Sequence, residues 1–83
     1  MLFHENWAIK TDRIREFFRS QEDVTESEGI FFYKSCRITL TPLTPSQTGI
    51  FAVSRTAVQI DGPDEEAYEI HHRFFLRFLS AGG

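Results

Sequence analysis

The chain has 83 residues and a mass of 9.7 kDa, enough for one domain that buries about 60–65% of the surface its unfolded form exposes. Hydrophobic residues make up 41% of it and phenylalanine alone occurs nine times, which excludes a disordered chain. A net charge of −3 and a sequence pI near 5.5 supply no electrostatic drive toward nucleic acid or an anionic membrane.

Residues 2–9 place Leu2, Phe3, Trp7, Ala8 and Ile9 without a clean period. They predict a short first strand ending near Lys10, with a helical turn as the alternative. Thr11 and Asp12 are N-cap types, and Ile14, Phe17 and Phe18 follow at i, i+3, i+4, so a helix is predicted over about 12–20. From Ser20 to Glu28 the only aliphatic residue is Val24 among four acids, a pattern that predicts a solvated loop closed by Gly29.

From Ile30 to Leu40 apolar residues fall on alternate positions, and the even face with Ile30, Phe32, Cys36, Ile38 and Leu40 is expected under the helices. Lys34 interrupts that row, as either a bulge or the start of a Lys34-Ser35 turn between two shorter strands. Thr41 to Gly49, with Pro42 and Pro45, predicts a long hairpin connection, because proline lacks the N–H that a central strand needs. A second long strand follows over Ile50–Ile60.

Asp61-Gly62-Pro63 stops that strand and begins a helix over about 63–80, with Asp64, Glu65 and Glu66 where the helix dipole favours negative charge. At 100° per residue Ala67, Ile70, His71, Phe74, Phe75, Phe78 and Leu79 share half the cylinder, with Tyr68 near one edge. Glu69 and Arg73 are expected to face water as an i, i+4 pair.

The elements predict an α+β two-layer sandwich: a small antiparallel or mixed sheet with one long C-terminal helix and one short N-terminal helix on one face. Ile70, Phe74, Phe78 and Leu79 are expected to pack against Ile38, Leu40, Val58 and Ile60. The element order is similar to a ferredoxin-like plait without its closing strand. With a Lys34-Ser35 turn and no first strand it becomes αβββα, as in double-stranded-RNA-binding domains.

Catalytic, cofactor and metal signatures do not emerge from the residues. His4, His71, His72 and Cys36 form no HxxxH, CxxC or HExxH spacing, and the phosphate-cradling and nucleophile-elbow motifs are missing. Cys36 reads as a buried small hydrophobe, since a catalytic Cys36–His71 pair would also need exposure and a lowered thiol pKa. Pro42-Leu43-Thr44-Pro45 matches PxxP but reads as loop. The C-terminal Gly82-Gly83 looks similar to the tail of ubiquitin-like sulfur carriers, although those place it after a strand, and helix termination accounts for it here.

Charge partition is more informative. Residues 30–60 hold Lys34, Arg37 and Arg55 and no acid, whereas 21–29 and 61–69 hold nine acids and no base. On an unbulged strand Phe31, Tyr33, Arg37, Phe51 and Arg55 share the face opposite the helices. Aromatic rings interleaved with arginine there suit a protein interface, either a homodimer or a partner protein. Single-stranded nucleic acid stacked on the sheet is the alternative. The expectation is a non-catalytic interaction protein without cofactor. A single cysteine, no signal-like leader and no apolar run near 20 residues place it in the cytoplasm, away from membranes.

Overall fold

Seven elements follow one another in a computed structural model that describes residues 1–79: β1 (Leu2–Trp7), α1 (Thr11–Ser20), β2 (Val24–Ser27), β3 (Ile30–Tyr33), β4 (Cys36–Thr48), β5 (Phe51–Asp61) and α2 (Asp64–Phe78). The strands form one five-stranded antiparallel sheet in the order β1-β5-β4-β3-β2. Both helices pack on one face of it, giving the expected α+β sandwich. The order βαββββα departs from both element orders suggested by the sequence, because residues 2–7 are a strand, Lys34-Ser35 is a turn and Val24–Ser27 adds a fourth strand between the helices.

That turn decides which side chains are buried. Tyr33 pairs with Cys36 and Phe31 with Ile38, so two residues join β3 to β4. The chain reverses instead of running straight, and the odd residues of β3 come to the same face as the even residues of β4. Phe31 and Tyr33 are therefore buried with Cys36 and Ile38, while Ile30 and Phe32 move to the half-buried opposite side. Lys34 takes φ 53°, the left-handed conformation demanded of a first turn residue in a tight hairpin.

Two segments expected as loops are strands. Val24–Ser27 pairs with β3 through a turn in which Glu28 and Gly29 both have positive φ, 53° and 80°, the requirement of a type I′ hairpin. Thr41–Gly49 belongs almost wholly to a β4–β5 ribbon that turns at Gly49-Ile50. A register shift between Leu43 and Ser46 accommodates Pro45 in a bulge.

The core consists of Ile14 and Phe18 from α1, Ala67, Ile70, Phe74 and Phe78 from α2, and Phe31, Tyr33, Ile38, Val58 and Ile60 from the sheet. Phe74 is its centre, with ring centroids 4.9 Å from Trp7, 5.7 Å from Phe18 and 5.4 Å from Phe78. Leu79, expected in this layer, is 56% exposed. It sits about 140° around the helix from Phe74, past the edge of the sheet. Gly62 lies against Cys36, where a Cβ would stand 2.6 Å from Sγ and 2.8 Å from the backbone Cα.

Polar contacts fasten the elements to one another. The Thr56 hydroxyl donates to the Ile9 carbonyl at 2.7 Å and lies 2.7 Å from the Thr11 hydroxyl, so this fully buried threonine is satisfied and Thr11 is not used as a helix cap. Arg73 donates bidentately to Asp23 at 2.8 and 3.0 Å, and Glu69 accepts from Lys34 at 3.2 Å and from Tyr33 at 3.3 Å. The expected Glu69–Arg73 pair along the helix is thus replaced by two pairs, from Arg73 to the α1–β2 connection and from Glu69 to the β3–β4 turn, where tertiary partners lie closer to each head group.

Candidate interaction surface

The residues expected to form one exposed face are divided among three environments. Phe31 and Tyr33 are in the core. This corrects their assignment to the open side and follows from the parity change at Lys34-Ser35. Arg37 is on the open sheet face, in register between Asp61 of β5 and Phe32 of β3. Phe51 and Arg55 belong to the β4–β5 ribbon. Only these last two remain near one another, on the same side of one strand.

The ribbon owes its form to the sequence between two arginines. From Ile38 to Ser54 there is no charged residue, and β-branched or aromatic types recur through it. β1 reaches along β5 only as far as Thr56, which pairs with Trp7, and β3 reaches along β4 only as far as Ile38. Beyond those points, among the described residues, β4 and β5 pair only with each other, and the molecule extends to 42 Å along one axis against 24 and 21 Å along the others. Ile50 at the turn is 91% exposed and Phe51 68% exposed.

The two edges of the ribbon differ chemically. A two-residue hairpin closes on a hydrogen-bonded pair, so the closing pair Tyr33–Cys36 directs the N–H of Cys36, and of every second residue after it up to Pro42, toward β3 and away from β5. Pro42 therefore removes a donor from the outer edge of β4, and Pro45 removes another within the bulge. At the other end, closure on Thr48–Phe51 points Phe51, Val53 and Arg55 at β4 and leaves the N–H and C=O of Ala52 and Ser54 directed outward. The outer edge of β5 over Phe51–Arg55 has no proline, and among the described residues no strand covers it. At the ribbon base half-buried Ser54 and Arg55 border a shallow groove whose other walls are Pro42, Leu43 and Pro45 and the start of α1 at Lys10, Thr11 and Asp12.

A second exposed apolar surface runs along α2, where Tyr68, Phe75, Leu76 and Leu79 face outward beside β1. His71, half-buried next to it, lies 2.8 Å from the Glu5 carboxylate and stacks on Phe3 with centroids 3.9 Å apart. Trp7 Nε1 donates to the same Glu5 oxygen at 3.1 Å. His71 is thus engaged with β1, whereas Cys36 is on β4, with β5 between them. Burial raises the Cys36 thiol pKa and the Glu66 carboxylate adds to this, the reverse of what a nucleophile requires.

Elsewhere the electrostatics belong to structural pairs. The hydrogen bonds from Arg73 hold the Asp23 carboxyl below its ordinary pKa, and those from Arg19 do the same for Glu26. Hydrogen bonding to Glu69 and Tyr33 raises Lys34. Among the described residues no three His, Cys, Asp or Glu side chains cluster as metal ligands would, and no helix is long and apolar enough to cross a membrane. Gly82-Gly83 lies outside the described residues. No family model matches the chain, and no curated protein is significantly similar to it.

The ribbon's signal in the sequence was the uncharged interval between Arg37 and Arg55. Its prolines masked that signal, because proline argues against a central strand and is neutral about an unpaired edge.

Proposed function

We propose that the chain is a non-catalytic protein-interaction module whose contact element is the β4–β5 ribbon. The observation that carries this reading is an uncharged strand pair, standing clear of the core, with Ile50 and Phe51 exposed at its end. A two-stranded ribbon is marginal in water by itself, and apolar surface left in water forgoes about 25 cal/mol per Å². Contact with another polypeptide removes both penalties. Cytoplasmic residence is part of the same reading, supported by a lone free cysteine. Nucleic-acid binding has less support, because the Phe31 and Tyr33 rings that were to stack bases are buried.

The test is a photo-crosslinking residue placed at Phe51 in living cells, with Thr25 on β2 as the exposed control position. Polypeptide adducts at 51 that are missing at 25 are expected. Equal adducts at both positions, or none at 51, would contradict the reading.

A further inference from the structure

The ribbon's free edge is built to receive one particular strand, and we infer that this strand is β5 of a second copy of the chain. The inference rests on the ribbon being a contact element and names its partner. The open edge of β5 is five residues long, Phe51–Arg55, bounded by the turn on one side and by the end of β1 on the other. Its midpoint is Val53. An antiparallel pairing of two such edges about a two-fold axis at Val53 sets Ala52 opposite Ser54 of the second copy, and Ser54 opposite its Ala52. These are the two residues whose N–H and C=O groups point outward, so both become hydrogen-bonded pairs. The seam fills the open edge up to the point where Trp7 already occupies Thr56.

Side chains and charges agree with that register. Phe51, Val53 and Arg55 share one side of β5, and the pairing sets Phe51 of each copy against Arg55 of the other in the closer, non-hydrogen-bonded kind of pair. A guanidinium over a phenylalanine ring is favourable. The two arginines stand four residues apart along the seam, about 13 Å, which exceeds the Debye length of about 8 Å at physiological salt. No other charged residue lies between Ile38 and Ser54, so the net negative charge of the chain is held away from the contact. The opposite edge, on β4, cannot serve, since Pro42 and Pro45 deny it donors.

A stable dimer buries about 800 Å² per partner, a large share of a surface of 5388 Å². Only five residues of each copy pair across the seam, so the dimer is expected to be reversible and to depend on concentration. Its two folded bodies lie at opposite ends of a four-stranded seam ordered β4-β5-β5-β4.

Sedimentation equilibrium of the purified chain from about 1 µM to about 500 µM tests this, beside Ala52→Pro and Val53→Lys. The first removes an outward donor without touching the β4–β5 bonds, and the second sets two ammonium groups face to face at the axis. Far-ultraviolet circular dichroism and the thermal midpoint establish that each variant is folded. The wild-type chain is expected to pass from monomer to dimer within the range, and each variant to associate at least about tenfold more weakly, a change of 1.4 kcal/mol. A wild-type chain that stays monomeric throughout, or either folded variant associating as tightly as wild type, would overturn the inference. If it fails while Phe51 still crosslinks to another polypeptide, the wider reading stands with a different partner. If both fail, so does the ribbon as a contact element.

Discussion

Phe74→Ala removes a ring in contact with both helices and with β1, and it should cost about 3–5 kcal/mol as read from urea unfolding. Leu79→Ala, at a position that the sequence pattern placed in the same layer as Phe74, should stay within about 0.5 kcal/mol because Leu79 is exposed. Gly62→Ala drives a methyl group into Cys36 backbone and sulfur, and a loss of about 1–3 kcal/mol is expected from the same measurement. Cys36 should react with a thiol reagent near neutral pH only as fast as the domain opens, because it is buried and its pKa is raised. Prompt labelling in the folded state would contradict that placement. Ala67, Ile70, Phe74 and Phe78 were legible from their spacing alone. Phe31 and Tyr33 were not, since their side of the sheet depends on whether two residues, Lys34 and Ser35, continue a strand or reverse it. Ser35 is an ordinary turn residue but Lys34 is not, and Lys34 takes its positive φ in a place where its head group reaches Glu69.

At the scale of elements, both helices and the strand character of 30–40 and 50–60 were readable from apolar periods that match their geometry. β1 shows no clean period, and no period decides the division of β3 from β4 at Lys34-Ser35. The elements missed were β2 and the outer part of β4 from Thr41 to Thr48, which carry no such period. β2 is held by its ladder to β3 and by Val24 against the core, with ion pairs beside them from Arg19 to Glu26 and from Arg73 to Asp23 just before the strand. Arg73 depresses the Asp23 pKa in the folded state, so the stability this pair supplies is present above the unfolded carboxylate value and is lost as pH falls through the lower, folded one. Urea midpoints of the wild-type chain should therefore decline as pH drops below about 4, and Asp23→Asn should flatten part of that decline. An identical pH profile for the two proteins would show that the pair is not maintained in solution. The site is exposed, so the difference should shrink in high salt.

The whole molecule divides into a packed two-layer body and a projecting strand pair. The body was legible as a fold class, and its layers account for most of the hydrophobic sequence. The candidate contact surface was legible only in part: Phe51 and Arg55 do share one side of β5, exposed at Phe51 and half-buried at Arg55, but Phe31 and Tyr33 are core and Arg37 faces solvent on the open sheet. Long-range pairing sets that division. Where β1 and β3 stop determines how much of β4 and β5 is left uncovered, and no local pattern in residues 41–55 records where their neighbours end. The most direct measurement is backbone amide exchange by nuclear magnetic resonance at low and high protein concentration. The amides of Ala52 and Ser54 should exchange freely when dilute and become protected when concentrated, while Thr39 and Gln59 on the open sheet face stay unchanged. Equal exchange of Ala52 and Ser54 at both concentrations, or concentration-dependent protection at Thr39 and Gln59 instead, would contradict the ribbon edge as the contact.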